Sequence, residues 1–129
     1  MAVHRFSEDD LWGGVRKLNL IQAEFTSVVR QKRYAIAALN ENRRSYVVKY
    51  ESGNTKTIPI SDLFAVYCEL YRLGRMPRGY LRIEANGRRI LGHTRYSHAP
   101  GATIYAIMPK LDDAIRTEKG GHLSIRGTP

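Results

Sequence analysis

The fold of this chain is decided by residues 34–60, which read YAIAALNENRRSYVVKYESGNTKTIPI. Apolar and polar residues alternate in its middle, so Tyr46, Val48 and Tyr50 fall on one face of an extended strand. Two turn-like segments divide the stretch into three runs of strand-forming residues. The pattern predicts an antiparallel β-meander with strands at 34–39, 45–51 and 55–60 and turns at 40–43 and 52–54.

An amphipathic helix is predicted directly after the meander. Its apolar face recurs at helical spacing and consists of Leu63, Phe64, Tyr67, Leu70 and Tyr71. Ser61 is expected to cap the first turn, and Gly74 to end the helix, because glycine readily adopts the left-handed backbone that closes a helix. A helix with one apolar face that follows several strands implies a helix packed on a sheet.

The flanking segments predict further elements. Ser7 and the acidic residues after it indicate a helix start, with a short helix at 9–18. Residues 21–29 are compatible with either a strand or a helix. The apolar, β-prone run Ala102–Met108 predicts an additional buried strand, and residues 111–116 predict one helical turn.

These elements together predict an α+β fold, in which the antiparallel meander packs against the amphipathic helix and a later strand is buried. The chain has 129 residues, 43% of them hydrophobic and 26% charged, which is typical of one globular domain. We expect a single basic domain at 1–117 and a mobile, glycine-containing tail at 118–129. No apolar run approaches the roughly 20 residues that span a bilayer.

The cysteine content and the N-terminus bear on the compartment. Cys68 is the only cysteine, so no intrachain disulfide can form, as is usual in a reducing environment. Its place in the apolar helical pattern predicts a small buried hydrophobic residue. The first ten residues are polar and contain no apolar signal stretch. We therefore expect a cytoplasmic protein, nucleoid-associated or nuclear if it is bound to DNA.

The charge of the chain points to a polyanionic partner. The net charge is +9, and arginines outnumber lysines 15 to 6. Such an excess raises the local concentration of polyanions and speeds encounters with them. Arginine also grips phosphate with two parallel hydrogen bonds. Nucleic acid, DNA more than RNA, is the predicted partner.

Arginines are densest between residues 72 and 95, where Glu84 is the only acid and aromatic side chains are interleaved. Arginine neutralises phosphates, and aromatic rings can stack on bases. Residues 78–91 of this segment predict a short helix through Glu84, a turn at Asn86-Gly87 and a strand at 88–91. The alternative is an Asn-Gly turn between two strands. The candidate nucleic-acid contacts are Arg75, Arg78, Tyr80, Arg82, Arg88, Arg89, His93, Arg95, Tyr96 and His98, with Arg43 and Arg44 of the first hairpin turn.

Two other functions are compatible with the sequence. A small nuclease-like enzyme would place its site at His93 and His98, which are five residues apart in a polar segment. A protein-interaction subunit would use the basic face to bind an acidic partner. The sequence contains no complete catalytic motif and no paired cysteine or histidine spacing typical of zinc. We therefore expect no metal and no cofactor, and a binding role in preference to an enzymatic one.

Overall fold

The predicted meander forms most of the first sheet. A computed structural model describes residues 4–27, 32–78, 80 and 101–126. It contains the strands β1 (Glu24–Thr26), β2 (Arg33–Asn40), β3 (Ser45–Tyr50) and β4 (Thr55–Pro59). They pair in this order as one antiparallel sheet, which we call the first sheet. The meander is confirmed, and β1 shows that the ambiguous segment before it contains a strand.

Alternation of side chains directs one face of the first sheet to the core. Tyr46 and Val48 of β3 are fully buried, whereas Lys49 beside them is exposed. Tyr34 and Ile36 of β2 are buried on the same side. A β-bulge directly after Ile36 adds one residue to β2 and so changes its alternation. The inward residues form the floor on which the helices pack.

Helix α1 (Glu8–Leu20) begins as the sequence predicts. The Ser7 side chain accepts the backbone N–H of Asp10, and the Asp10 carboxylate accepts the backbone N–H of Ser7. This reciprocal capping box satisfies two donors that the first helical turn leaves open. The buried positions follow one helical face and are Leu11, Trp12, Val15 and Leu18.

Helix α2 (Ile60–Leu73) is the predicted amphipathic helix. Its predicted cap is wrong, because Pro59 occupies the N-cap position without a side-chain hydrogen bond and Ser61 lies inside the first turn. Proline has the backbone angle that a strand-to-helix junction needs. Gly74 ends the helix in the left-handed conformation, with φ of 78°, as predicted.

The predicted strand at 102–108 is wrong, because this segment belongs to helix α3 (Gly101–Leu111). Ile104, Ile107 and Met108 are fully buried, and their spacing corresponds to one face of a helix. The β-branched residues favoured a strand by propensity, but tertiary packing outweighs such a weak preference. The fold class remains α+β.

The residues after α3 form two strands of a second sheet where the sequence predicts a helical turn and a mobile tail. Its strands are β5 (Arg75–Met76), β6 (Ile115–Glu118) and β7 (His122–Ile125). They pair in the antiparallel order β5-β7-β6. Leu123 in the central strand is fully buried, so this part of the expected tail is folded against the core. We call this unit the second sheet.

One hydrophobic cluster joins both sheets to the helices α1, α2 and α3. It includes Tyr46 of the first sheet, Tyr67 of α2 and Leu123 of the second sheet, all fully buried. Burial of this apolar area supplies the main driving force for folding. Among the described residues, no helix is both long enough and apolar enough to cross a membrane.

Candidate nucleic-acid interface

The predicted contact residues divide into two groups in the structure. Those that the structure describes are Arg43, Arg44, Arg75, Arg78 and Tyr80. The others lie outside the described residues: Arg82, Arg88, Arg89, His93, Arg95, Tyr96 and His98. The local prediction of a helix or an Asn-Gly hairpin at 78–91 also falls almost entirely outside them. The candidate interface is therefore defined by the contacts of the first group and its surroundings.

The two arginines of the first hairpin turn are held by different contacts. The backbone N–H of Arg43 donates to Asn40 Oδ1 at 3.1 Å, and among the described residues its side chain forms no ion pair. The guanidinium of Arg44 forms an ion pair with Asp9 of α1. Glu41 of the same turn accepts a hydrogen bond from Trp12 Nε1 at 3.1 Å and forms an ion pair with Arg16, whose Nε lies 3.1 Å from Glu41 Oε1. These contacts hold the turn against α1. Arg44 is thus engaged within the protein, and Glu41 adds a negative charge beside it.

Tyr80 anchors the chain that leaves the second sheet. Its hydroxyl donates a hydrogen bond of 2.5 Å to Glu69 Oε2, and the residue packs partly buried against the core. Glu69 is buried and also pairs with Arg72 through two hydrogen bonds of 2.7 and 2.9 Å. The Arg72 guanidinium, and secondarily the Tyr80 hydroxyl, hold the pKa of Glu69 below its usual value. Tyr80 therefore connects the start of the arginine-rich segment to α2.

The second sheet brings distant basic residues into one row. Arg75 of β5 lies directly opposite Ser124 of β7, and Ser124 lies opposite Arg116 of β6. Residues that are directly opposite in neighbouring strands project to the same face of a sheet. Met76 and Leu123 alternate with them and are fully buried on the other face. The row Arg75–Ser124–Arg116 therefore lies on the outer face of the second sheet.

Basic side chains dominate the residues around this row. The described segments 74–78 and 114–126 contain a single acid, Glu118. They contain five basic residues, all exposed: Arg75, Arg78, Arg116, Lys119 and Arg126. We call these five residues, with Ser124 and Glu118, the basic face.

Hydrogen bonds order several side chains of the basic face. Arg75 Nε lies 3.3 Å from Glu118 Oε1, and Arg116 Nε donates to Ser124 Oγ at 3.4 Å. Arg75, and then Ser124, hold the pKa of Glu118 below its usual value by hydrogen bonding to the carboxylate. Glu118 is therefore ionised at neutral pH and lies within a positively charged surrounding.

The chain beyond β5 is held close to the basic face. The backbone N–H of Arg78 donates to His122 Nδ1 at 2.8 Å, which leaves the ring proton of neutral His122 on Nε2. The Tyr105 hydroxyl donates to the carbonyl oxygen of Pro77 at 2.8 Å. These two bonds fix residues 77 and 78, so the arginine-rich segment begins at the edge of the basic face.

Sequence reasoning missed three of the five basic residues of the basic face, namely Arg116, Lys119 and Arg126. They fall in segments predicted to be a helical turn and a tail. The available signal was the pair Gly120-Gly121 between two short runs that contain β-branched residues. Such a pair indicates a hairpin, and both glycines have positive φ, at 92° and 89°.

Asp112 lies at the centre of a buried cluster of polar side chains, the kind of arrangement in which catalytic residues are often found. Its side chain is fully buried, and its Oδ2 accepts the hydroxyls of Tyr67 and Tyr71 at 2.7 Å each. Its Oδ1 accepts Arg5 Nη1 at 2.9 Å and the backbone N–H of Ala114 at 2.9 Å. The four lone-pair positions of the carboxylate are thus all used.

The saturation of Asp112 indicates a structural role. Burial, with the bonds to Asp112, raises the pKa of Tyr67 well above its usual value and that of Tyr71 to about 12. Both hydroxyls therefore stay protonated as donors at neutral pH. The cluster ties the N-terminal segment and α2 to the turn between α3 and β6. It offers no open position where a substrate could be bound.

Cys68 is half-buried, and burial raises the pKa of its thiol. It is therefore a thiol at neutral pH, which agrees with packing rather than with nucleophilic chemistry. Within the described ranges, no group of three His, Cys, Asp or Glu residues could hold a metal ion.

Comparisons with known proteins found no matching family model, no matching curated protein and no matching solved structure.

Proposed function

We propose that this chain binds nucleic acid through the basic face, and that duplex DNA is the preferred form. The observation that carries the proposal is the row Arg75–Ser124–Arg116, which lies in chain segments that carry five exposed basic residues and one acid. The next acid, Asp113, directly precedes these segments and is paired with Arg5. Guanidinium groups on a sheet face can hold several phosphates at once. Each phosphate contact releases counterions, which favours binding.

The arginine-rich segment extends this surface along the chain. The part of the segment that follows β5 starts at Arg78, whose backbone N–H is hydrogen bonded to His122 beside the row. In this proposal its arginines add further phosphate contacts, and base selectivity comes from Arg88, Arg89, His93 or Tyr96. Phosphate contacts position a protein on nucleic acid, and contacts to base edges determine sequence preference.

The described aromatic residues near the basic face are engaged in contacts within the protein, which favours duplex DNA over a single strand as the ligand. Binding of single strands depends on rings that are free to stack on bases. Tyr80 and Tyr105, the tyrosines nearest the start of the arginine-rich segment, are half-buried, with hydroxyls bonded to Glu69 and to the Pro77 carbonyl. The described part of the interface thus presents guanidinium groups, which suits the phosphates of a duplex.

The test is a binding titration with labelled duplex DNA, single-stranded DNA and RNA over a series of salt concentrations, with heparin as competitor. We expect tightest binding to duplex DNA, persistence in heparin, and a log-log salt slope of about −4 to −7 because several phosphates are held. Equal, weak binding of every nucleic acid and of heparin would overturn the proposal. An acidic protein partner would then be the next candidate to test.

Matched variants test whether the basic face carries the binding. Arg116→Gln and Lys119→Gln remove exposed charges from this face, and each is expected to make the salt slope shallower by about 0.9. Lys49→Gln and Lys56→Gln remove exposed charges from the first sheet and serve as controls. The assignment to the basic face fails if the two pairs of variants weaken binding equally.

A further inference from the structure

Glu118 occupies a distinctive position on the basic face. It lies two residues from Arg116 on β6, so both side chains project to the same side of the sheet. Arg75, on the far edge strand, reaches across β7 to pair with it at 3.3 Å. The Glu118 side chain is 33% exposed and that of Arg75 is 51% exposed, so an external ligand can reach both groups.

Three groups of the row act on the Glu118 carboxylate. Arg75 Nε donates a hydrogen bond of 3.3 Å to it, and Ser124 and the charge of Arg116 also help to keep it ionised. Guanidinium groups bind carboxylates and phosphates in the same way, through charge-assisted hydrogen bonds to oxygen. The carboxylate therefore stands where a phosphate of a bound ligand would find the same donors.

We propose that Glu118 is an internal competitor that occupies a phosphodiester-binding position between Arg75 and Arg116. This inference rests on the proposed function and deepens it. In the free protein Arg75 pairs with Glu118; when nucleic acid binds, a backbone phosphate takes over the guanidinium. The displaced carboxylate stays nearby and repels that phosphate. Affinity is thereby held below the value that the five basic residues would otherwise provide.

A purely structural pair would behave differently. Arg75 and Glu118 connect the two edge strands of the second sheet, and in that case their pair would only stabilise the fold. Exposed pairs contribute little stability on average. A structural role predicts that neutralising Glu118 leaves binding unchanged or weakens it, whereas a competitor role predicts tighter binding that requires Arg75.

The experiment is a double-mutant cycle on binding to a labelled duplex DNA. Glu118→Gln keeps the shape of the side chain and removes its charge. We expect about tenfold tighter binding and a salt slope steeper by about 0.9. In the Arg75→Gln background the same change should alter affinity by less than about twofold, because the released guanidinium is absent.

The control is Glu51→Gln, which removes an acid that is paired with Arg33 at 3.0 Å on the first sheet. It changes the net charge equally and is expected to leave affinity within about twofold of wild type. Circular dichroism and thermal unfolding verify the fold of each variant. Glu118→Ala provides the same comparison if the glutamine variant does not fold.

The outcomes separate the two proposals. If wild type binds duplex DNA as proposed but Glu118→Gln gains nothing, or gains equally without Arg75, the competitor role is overturned and nucleic-acid binding stands. If neither wild type nor Glu118→Gln binds DNA in preference to heparin, both proposals fail. A gain that depends on Arg75 and is absent in Glu51→Gln supports the competitor role.

Discussion

The two sheets differ in how they use their arginines. In the first sheet Arg33 pairs with Glu51 at 3.0 Å, and Arg44, in the turn between β2 and β3, pairs with Asp9. On the basic face, Arg75 pairs with Glu118. Within the described residues, Arg116 forms no ion pair, whereas the charge of Arg126 acts on the Asp113 carboxylate. The comparison shows that the number of basic residues on a surface does not measure the charge available to a ligand.

The two sheets also differ in how they are held in place. The first sheet is a continuous meander whose strands pair with their neighbours in sequence. The second sheet joins segments more than forty residues apart, since Arg75 lies opposite Ser124. Asp112, directly before β6, supplies a buried polar junction to α2. We therefore expect the second sheet to depend on a few long-range contacts.

The largest expected effect follows from loss of that junction. Asp112→Ala should lower the free energy of unfolding by about 3–5 kcal/mol, because Tyr67, Tyr71 and Arg5 lose their shared acceptor. Urea unfolding measures this loss. Hydrogen exchange should show β6 and β7 opening while the first sheet stays protected.

Asp113→Asn is the control for this change, because its side chain is 90% exposed. Its stability should stay close to that of wild type. Equal stability of the two variants, or equal loss of protection in both sheets, would contradict the junction role of Asp112.

The next effect concerns alkaline pH. Burial and the bond to Asp112 raise the pKa of Tyr71 to about 12, from about 10 in an unfolded chain. The folded state therefore favours the neutral hydroxyl, so this stabilisation is complete below pH 10 and is lost as pH rises to about 12. Unfolding free energies between pH 8 and 12, with absorbance at 295 nm to follow tyrosine ionisation, measure it.

Tyr71→Phe separates the hydrogen bond from the titration. At pH 8 it should cost about 1.5–3 kcal/mol, because a bond to a charged acceptor is lost. Above pH 10 its stability should fall less steeply than that of wild type. An unchanged alkaline slope would show that Tyr71 does not contribute to the loss.

Two neighbouring glycines of α1 test how closely α1 packs against α3. Gly13→Ala should stabilise the protein by about 0.5–1 kcal/mol, because alanine favours a helix and a Cβ there meets nothing within 4 Å. A Cβ at Gly14 would lie 2.9 Å from Leu111 Cδ2 at the end of α3. The gain at Gly14 should therefore be offset or reversed. Thermal unfolding compares the stability of the two variants. An equal gain in stability would show that the Leu111 side chain moves aside at little energetic cost.

The smallest expected effect tests whether an ion pair within the protein prevents an arginine from contributing to DNA affinity. Arg33→Gln and Arg44→Gln should change DNA affinity by less than about twofold near physiological salt, because their charges are already balanced by Glu51 and Asp9. Arg116→Gln should weaken binding more than either. Titrations in one buffer compare the three variants, and equal losses would break the contrast between the sheets.

Local pattern predicted a large part of the fold. The meander could be predicted because alternation and turn residues lie next to each other in sequence. Helix α2 could be predicted because its apolar residues recur at 3.6-residue spacing and Gly74 follows them. The capping box at Ser7 likewise depends only on residues three apart.

The wrong predictions share a cause. Ala102–Met108 is short and apolar, and such a run is compatible with a buried strand or a buried helix until its neighbours are known. β5 has two residues and β6 and β7 have four each, too few to show a period. Their pairing depends on partners far away in the chain.

In the candidate interface, too, some features follow from the sequence alone and others depend on long-range contacts. The net charge of +9 and the excess of arginine follow from composition alone, and the prediction of a polyanionic partner depends on them. Which arginines are balanced by acids, and which share a face, depends on the packing of the folded chain. Ion pairs and strand registers join residues far apart in sequence, such as Arg75 and Glu118, so they depend on how the elements pack and not on local pattern.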